Sequence, residues 1–458
     1  MTIYANTPWN DLTIGMEASV TRLCVADDLI IFANSSGNMN PLHIPDADGD
    51  GDGVPEAIAP SAWLGALISG VLGNRLPGPG TLYKSQSLSF HGRARAGEEL
   101  TARVRLTALG PDREATFDTW IEAADGTTLA SGEAKVTAPV APQSFSAEDV
   151  PGLTVRSHVH FDRLIARAEH LPPIPTAVVA PESPEAIAGA LLGRDHTLIT
   201  PILVGNAALI ETAAHEAGVS IAGLELIDEP DHDRAARRAV ALVHEGRARA
   251  VMKGHLHTDV LLRAIVKREG GLRTGRRLSH VFVMDIPGID HLVLVTDAAI
   301  NIAPDLTTKI DIVQNAIDLA LALGIDQPKA GILSAVETVN PAIPSTLDAA
   351  ALSKMAERGQ ITGGLVDGPL AMDNAVDLEA AVTKGIKSLV AGHADILVAP
   401  NLESGNMIAK QLTFLAHAEA GGIVVGASVP VILTSRADDE AARLASCAVA
   451  ALYGAKLP

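Results

Sequence analysis

Two hydrophobic periods divide this chain. Apolar and polar side chains alternate along residues 82–90, 99–109, 113–123 and 128–136, which predicts antiparallel strands with one face buried. Asp125-Gly126 supplies a tight hairpin turn between the last two. A helix is predicted over 61–72. One helix followed by four antiparallel strands predicts an α+β hot-dog domain, a sheet wrapped around its helix, although strand content alone allows other α+β folds. Beyond residue 170 the period changes. Short apolar runs at 176–180, 198–204, 250–252, 281–284, 331–334, 396–398 and 430–433 alternate with helical stretches, predicting an α/β region with a mainly parallel sheet. Between the two regimes, Pro, Ser and charged residues interrupt both periods over 138–157. The expected division is a domain over 1–140, a linker over 141–157 and a second region over 158–458.

Composition narrows the function. A chain of 458 residues that is 47% hydrophobic and only 3% aromatic has the Ala/Val/Leu/Ile interior of α/β proteins and room for two or three domains. A net charge of -19 argues against nucleic acid as a partner, so any phosphate-bearing ligand must be held by a local cluster of cations. Cys24 and Cys447 are too few for a disulfide framework, which points to a reducing cytosol. With no signal-like opening and no apolar run of spanning length, the expectation is a soluble cytoplasmic protein with no membrane partner.

The most informative stretch is 395–436, DILVAPNLESGNMIAKQLTFLAHAEAGGIVVGASVPVILTSR. A short apolar strand leads through an Asn/Glu/Gly turn containing Glu403 into a helix, and a second buried strand ends in Ser435 and Arg436. Ligands of open α/β sheets sit beyond the carboxyl ends of strands, and a guanidinium offers a planar fork for phosphate oxygens. Taken alone, a Ser-Arg pair also suits a plain surface cap. The stretch nevertheless resembles the phosphate acetyl/butyryltransferase family, as do ITPILVGN (199–206), VMKGHLHTDVLLR (251–263), LSAVETVNPAIPSTLDAA (333–350) and TGGLVDGPLAMDNA (362–375). The resemblance spans about 156–458. It implies two α/β subdomains with a cleft between them, and an acyl group moved between coenzyme A and inorganic phosphate, with acyl-CoA, acyl phosphate and phosphate as partners.

By that resemblance Arg436 and Ser435 grip the departing phosphate. Arg263 corresponds to a second substrate-binding arginine if one residue is missing in the interval, the alternative being a solvated helix arginine. His257 matches a motif histidine, and Glu403, Asn406 and Lys410 are placed with it around the coenzyme, Lys410 being equally readable as a snorkelling helix lysine. His255 and His257 stand two apart without further ligands nearby, so no metal is expected. The basic LRTGRR (272–277) suits either coenzyme phosphates or a solvated loop. The family's acetyl branch has an Asp six residues after the Ser-Arg pair, where this chain has Ala442. Asp438, Asp439 and Glu440 are then either substitutes for that base or the acidic first turn of a helix. In this the sequence looks closer to the butyryl-type branch. No dinucleotide fingerprint is present, and no permanently bound cofactor is expected.

The first half carries SGNMNPLH (36–43), which resembles the MaoC-like (R)-specific enoyl-CoA hydratases. In that family an Asp and a His five residues on activate water. His43 matches, but Asn38 occupies the Asp position, and an amide cannot act as a general base. His43 is then either catalytic or a hydrogen-bonded structural residue. Ser61 stands where the family opens its central helix with a Gly whose N–H binds the thioester carbonyl. Together the halves resemble the bifunctional enoyl-CoA hydratase/phosphate acetyltransferase enzymes, and at least a homodimer is implied. The alternative is a regulatory or oligomerisation protein that binds acyl-CoA without turnover. Residues 46–56, DADGDGDGVPE, begin like a calcium loop at Asp46, Asp48 and Asp50, but its twelfth position is Ala57. The expectation is a solvated Gly/Asp loop rather than a calcium site.

Overall fold

Alternation of buried and exposed residues runs along the strands at 99–109 and 114–123, as the sequence predicts, whereas the strand at 82–90 buries no residue fully. The computed structural model describes residues 2–147, 152–153, 155, 158–433 and 439–457. The chain divides into two compact units, Met1–Val155 and Arg156–Pro458. Strands of the first are β1 (Ile3–Ala5), β2 (Glu17–Leu23), β3 (Leu82–Phe90), β4 (Glu99–Leu109), β5 (Glu114–Ala123), β6 (Thr128–Thr137) and β7 (Ser144–Ser146). Five of them form an antiparallel sheet in the order β2-β4-β5-β6-β3. The β5–β6 hairpin turns through Gly126, whose φ of 86° suits glycine.

A central helix, Ser61–Asn74, packs against β2, β3, β4 and β5. Trp63, Leu64, Ile68, Val71 and Leu72 of the helix are buried together with Leu100, Val104, Leu106, Phe117 and Ile121 of the sheet. A sheet curled around one apolar helix is the hot-dog shape. Each such side chain contributes about 1.5–3 kcal/mol through burial. Three strands, β1, β2 and β7, escape the sequence reading. β2 presents mostly exposed residues, and β7 lies inside the stretch expected to be linker, pairing antiparallel with β1 from Ile3↔Ser146 to Ala5↔Ser144.

Strands of the second unit are β8 (Ile174–Val179), β9 (Ile199–Gly205), β10 (Glu225–Asp228), β11 (Ala250–Lys253), β12 (Ser279–Asp285), β13 (Val293–Thr296), β14 (Lys329–Leu333), β15 (Leu365–Leu370), β16 (Ile396–Val398), β17 (Glu419–Val425) and β18 (Val431–Ile432). They form one sheet in the order β10-β9-β8-β11-β18-β17-β12-β13-β16-β14-β15. The pairs from β10 to β18 are parallel, as are those from β13 to β15. Between these blocks, β18–β17, β17–β12 and β12–β13 are antiparallel. The sheet is therefore mainly parallel, but the two expected subdomains share one continuous sheet with an antiparallel seam. No helix among the described residues is long and apolar enough to cross a membrane.

Ile68 is fully buried at the centre of the first unit. Ile68→Ala lowers the stability of that unit by about 2–5 kcal/mol, read as a lower urea midpoint for its unfolding; an unchanged midpoint contradicts the packing described.

Candidate functional site

The antiparallel seam shapes a cleft of about 840 Å³ in the second unit. Lys253 closes β11, Leu433 follows β18, and Glu419 opens β17, which runs against β18, so all three gather at the same end of the sheet. From there the cleft extends over His280 and Phe282 of β12 beneath the helix Leu402–Leu415. Residues two apart on a strand share a face, which puts His280 and Phe282 side by side in the wall. Their rings meet edge to face at 4.4 Å between centroids.

The cleft helix starts at Asn401, whose Oδ1 accepts from the Ser404 backbone N–H at 2.9 Å. It crosses close to the turn after β13 because Gly405 lacks a Cβ, which would collide with the Asp297 carbonyl. That turn is fixed by the buried Asp297 carboxylate, which accepts from the backbone N–H groups of Ala299, Ile300 and Asn301 at 3.0, 3.1 and 3.1 Å. The Asn406 amide donates to the Ala298 carbonyl at 3.1 Å. Asn406 and Lys410, one helical turn apart, both line the cleft.

His280 is 2% exposed, and its Nδ1 has no hydrogen-bond partner among the described residues. Burial pushes its imidazole down to about 4, against the opposing pull of Asp297, so the ring is neutral near pH 7. The ring fits because Gly422 lies across the strand pair, where a Cβ would come within 2.9 Å of Cε1 and Nε2. Also in the lining, Glu419 faces His158 at 3.6 Å. Burial raises the Glu419 carboxyl above its ordinary range; His158 opposes this, and Asp439, Asp285 and Asp162 add to it. Asp439 also lines the cleft, but its Oδ1 accepts from the Ala442 N–H at 2.9 Å as the N-cap of the terminal helix, Glu440–Gly454. Asp439 and Glu440 thus occupy helix-start positions.

Of the residues singled out from sequence, His257, Asn406, Lys410 and Asp439 line this cleft. Glu403 is exposed in the first turn of the cleft helix and is not in the lining. Arg263 is also outside the lining; its guanidinium pairs with Asp259 at 2.8 Å and Asp233 at 3.5 Å on an exposed surface. Ser435, Arg436 and Asp438 lie outside the described residues, between Leu433 and Asp439, which both line the cleft. In the 272–277 segment, Arg276 pairs with Asp318 and the Arg277 N–H donates to Asp311 at 2.9 Å, away from the cleft lining. Lys253, His280 and Glu419 were missed. A histidine inside an apolar strand and a paired glycine opposite it were the available signals for His280.

In the first unit, Ser61 is the first residue of the central helix, after Pro60. His43 Nδ1 lies 2.8 Å from the Ile58 carbonyl. A carbonyl only accepts, so Nδ1–H donates and the neutral ring keeps its lone pair on Nε2. Asn38 Oδ1 accepts from the Asn40 N–H at 3.3 Å. Both cysteines are buried free thiols, pushed up by burial to about 11 for Cys24 and about 12 for Cys447, which disqualifies them as nucleophiles.

A model of the phosphate acetyl/butaryl transferase family matches residues 231–451. A phosphate acetyltransferase of Rhizobium meliloti is 57% identical over 296 residues, covering 65% of this chain and 94% of that protein. A phosphate butyryltransferase of Clostridium acetobutylicum is 43% identical over 292 residues, covering 64% of this chain and 97% of that protein. The acetyl-named relative is the more similar of these two. A crystallised branched-chain phosphotransacylase from Enterococcus faecalis V583 is 32% identical and superposes with a TM-score of 0.54, covering 61% of this chain and 99% of that one.

The His280 ring gives a pH signature. Its folded-state value lies below the ordinary 6.5, so the unfolded chain takes up a proton first as pH falls. Stability should be complete above pH 6.5 and decline toward pH 4, and His280→Asn should flatten that decline in urea unfolding. Equal slopes for both proteins over that window contradict the assignment.

Proposed function

The chain belongs to the phosphate acetyl/butyryl transferase family and is a transferase; on that premise we propose that its second unit exchanges an acetyl or butyryl group between coenzyme A and inorganic phosphate. The observation that carries this reading is the cleft at the seam, where Lys253, Lys410 and His257 meet the carboxylates of Glu419 and Asp439. Cations suit the phosphates of both substrates, and a carboxylate suits the thiol proton.

In the acyl-phosphate direction, the thiol of coenzyme A gives up its proton and the sulfur bonds to the acyl carbon. The bond from that carbon to the phosphate oxygen then breaks, and phosphate leaves with the electron pair. Arg436, with Ser435, is the proposed grip on those phosphate oxygens, since the chain on either side of the pair lines the cleft. The proposed proton acceptor is Glu419. Of the two carboxylates in the wall, Asp439 is committed to capping a helix, whereas Glu419 has the raised affinity for a proton that a base acting near neutrality needs.

For the first unit we propose an acyl-CoA-binding hydratase-like module, supported by the sheet wrapped around its central helix and by the His43 tautomer. Asn38 removes the carboxylate partner, so the module holds a thioester without hydrating it.

Thiol release from acetyl-CoA and butyryl-CoA in the presence of phosphate tests the transferase directly. Activity with at least one is expected, and Arg436→Ala should cost about 10²–10³-fold in kcat, the scale of losing one donor to developing charge. No release with either, or an unaffected variant, overturns the proposal. Glu419→Gln should lower kcat by about 10²–10⁴-fold and remove the acidic limb of the pH–rate profile; a retained limb assigns the base elsewhere. With crotonyl-CoA the natural chain should leave the enoyl absorbance constant while Asn38→Asp gains hydration, and rapid hydration by the natural chain contradicts the role given to Asn38.

A further inference from the structure

The acidic loop of the first unit folds in a register two residues later than its sequence suggests. Asp48, Asp50, Asp52 and Glu56 each bring a carboxylate oxygen into one group whose members lie within 4.8 Å of one another, while Asp46 stands outside it. In this register Gly53 falls at the sixth position and Glu56 at the ninth, so the unfavourable Ala57 is no longer the twelfth residue. The turn is closed by its own backbone: Asp48 accepts from Gly51 N–H at 2.6 Å and from Gly53 N–H at 2.8 Å, and Asp52 accepts from Val54 N–H at 2.8 Å.

Glu56 separates this loop from an ordinary acidic surface turn. Its carboxylate is enclosed, in a residue that is half-buried as a whole, while the other three residues are exposed. Its Oε2 accepts from the Gly49 N–H at 2.8 Å, but Oε1 is sealed from solvent with no hydrogen-bond partner among the described residues. A carboxylate oxygen of Asp50 lies within 4.8 Å of one on Glu56. Two carboxylates are both acceptors, so neither satisfies the other, and a buried anionic oxygen without a donor is costly unless a cation neutralises it.

We propose that Asp48, Asp50, Asp52 and Glu56 bind a hard divalent cation of the calcium class, with Glu56 Oε1 as its inward ligand. Oxygen-only donors at alternating positions are the set calcium takes, with backbone carbonyls and water completing six to eight ligands. Magnesium, which demands tighter octahedral geometry and parts reluctantly with water, fits a loose ring of four carboxylates less well. The twelfth position is now Ala59, so no bidentate Glu closes the loop, and the expected dissociation constant is on the order of 10⁻⁵–10⁻³ M. The loop rests on the backbone that carries His43. A Cβ at Gly49 would come within 2.5 Å of the Leu42 nitrogen, and the Ile58 N–H donates to the Leu42 carbonyl at 2.9 Å. Cation binding thus clamps the chain on both sides of the acyl-CoA module's histidine.

The test is calorimetric titration of the EGTA-stripped full chain with CaCl2, and separately with MgCl2. One saturable calcium event per chain is expected, at least tenfold weaker for magnesium and at least tenfold weaker for calcium in both Asp50→Asn and Glu56→Gln. Asp50 is exposed, so its variant keeps the fold, which circular dichroism without calcium verifies. Absence of saturable binding at millimolar calcium, equal affinity for magnesium, or unchanged calcium affinity in the two variants overturns the proposal.

Discussion

Strand direction reverses inside the sheet of the second unit, and the candidate site follows from that reversal. In an all-parallel sheet the carboxyl ends of neighbouring strands are followed by chain running away into helices. Here β17 comes back against β18, so the start of one strand and the ends of β11 and β18 crowd into the same rim. This brings Lys253, Leu433 and Glu419, distant in sequence, to one wall. Two glycines make the arrangement sterically possible. Gly405 lets the cleft helix descend onto the turn after β13, and Gly422 leaves the gap that the His280 imidazole fills.

Burial then sets the chemistry of that wall. His280 stays neutral because burial removes the solvent that would stabilise its charged form, and Glu419 holds its proton more tightly because it is half-buried beside other acids. A neutral imidazole, a carboxyl of raised proton affinity and the cations Lys253 and Lys410 line one cleft. That combination suits moving a proton from a thiol beside a phosphate, and it arises from packing more than from any single motif.

Much of the fold was legible in the sequence because it is carried by periodicity. The strands at 82–90, 99–109 and 396–398 coincide with their apolar patterns, and the change from alternating to continuous runs marks the change from antiparallel to parallel pairing. In the second unit β10, β13, β15 and β17 escaped notice: β17 has two glycines at its centre, β13 is four residues long, β15 is interrupted by Asp-Gly-Pro, and β10 is a half-exposed edge. The site was legible only in part. Asn406, Lys410 and His257 were found because they sit in distinctive wording, whereas His280 and Glu419 owe their character to neighbours that sequence order does not reveal. The acidic loop shows the same limit, since register, fixed by backbone hydrogen bonds to Asp48, decided which carboxylates converge.

Everything proposed for the second unit requires that both substrates occupy the seam cleft. Hydrogen–deuterium exchange of the full chain with and without desulfo-coenzyme A plus phosphate measures this directly. Protection should concentrate at Lys253–Thr258, at the cleft helix and at Ala418–Ala420. Saturating ligand that leaves those three segments unprotected while slowing exchange elsewhere in the second unit would contradict the account.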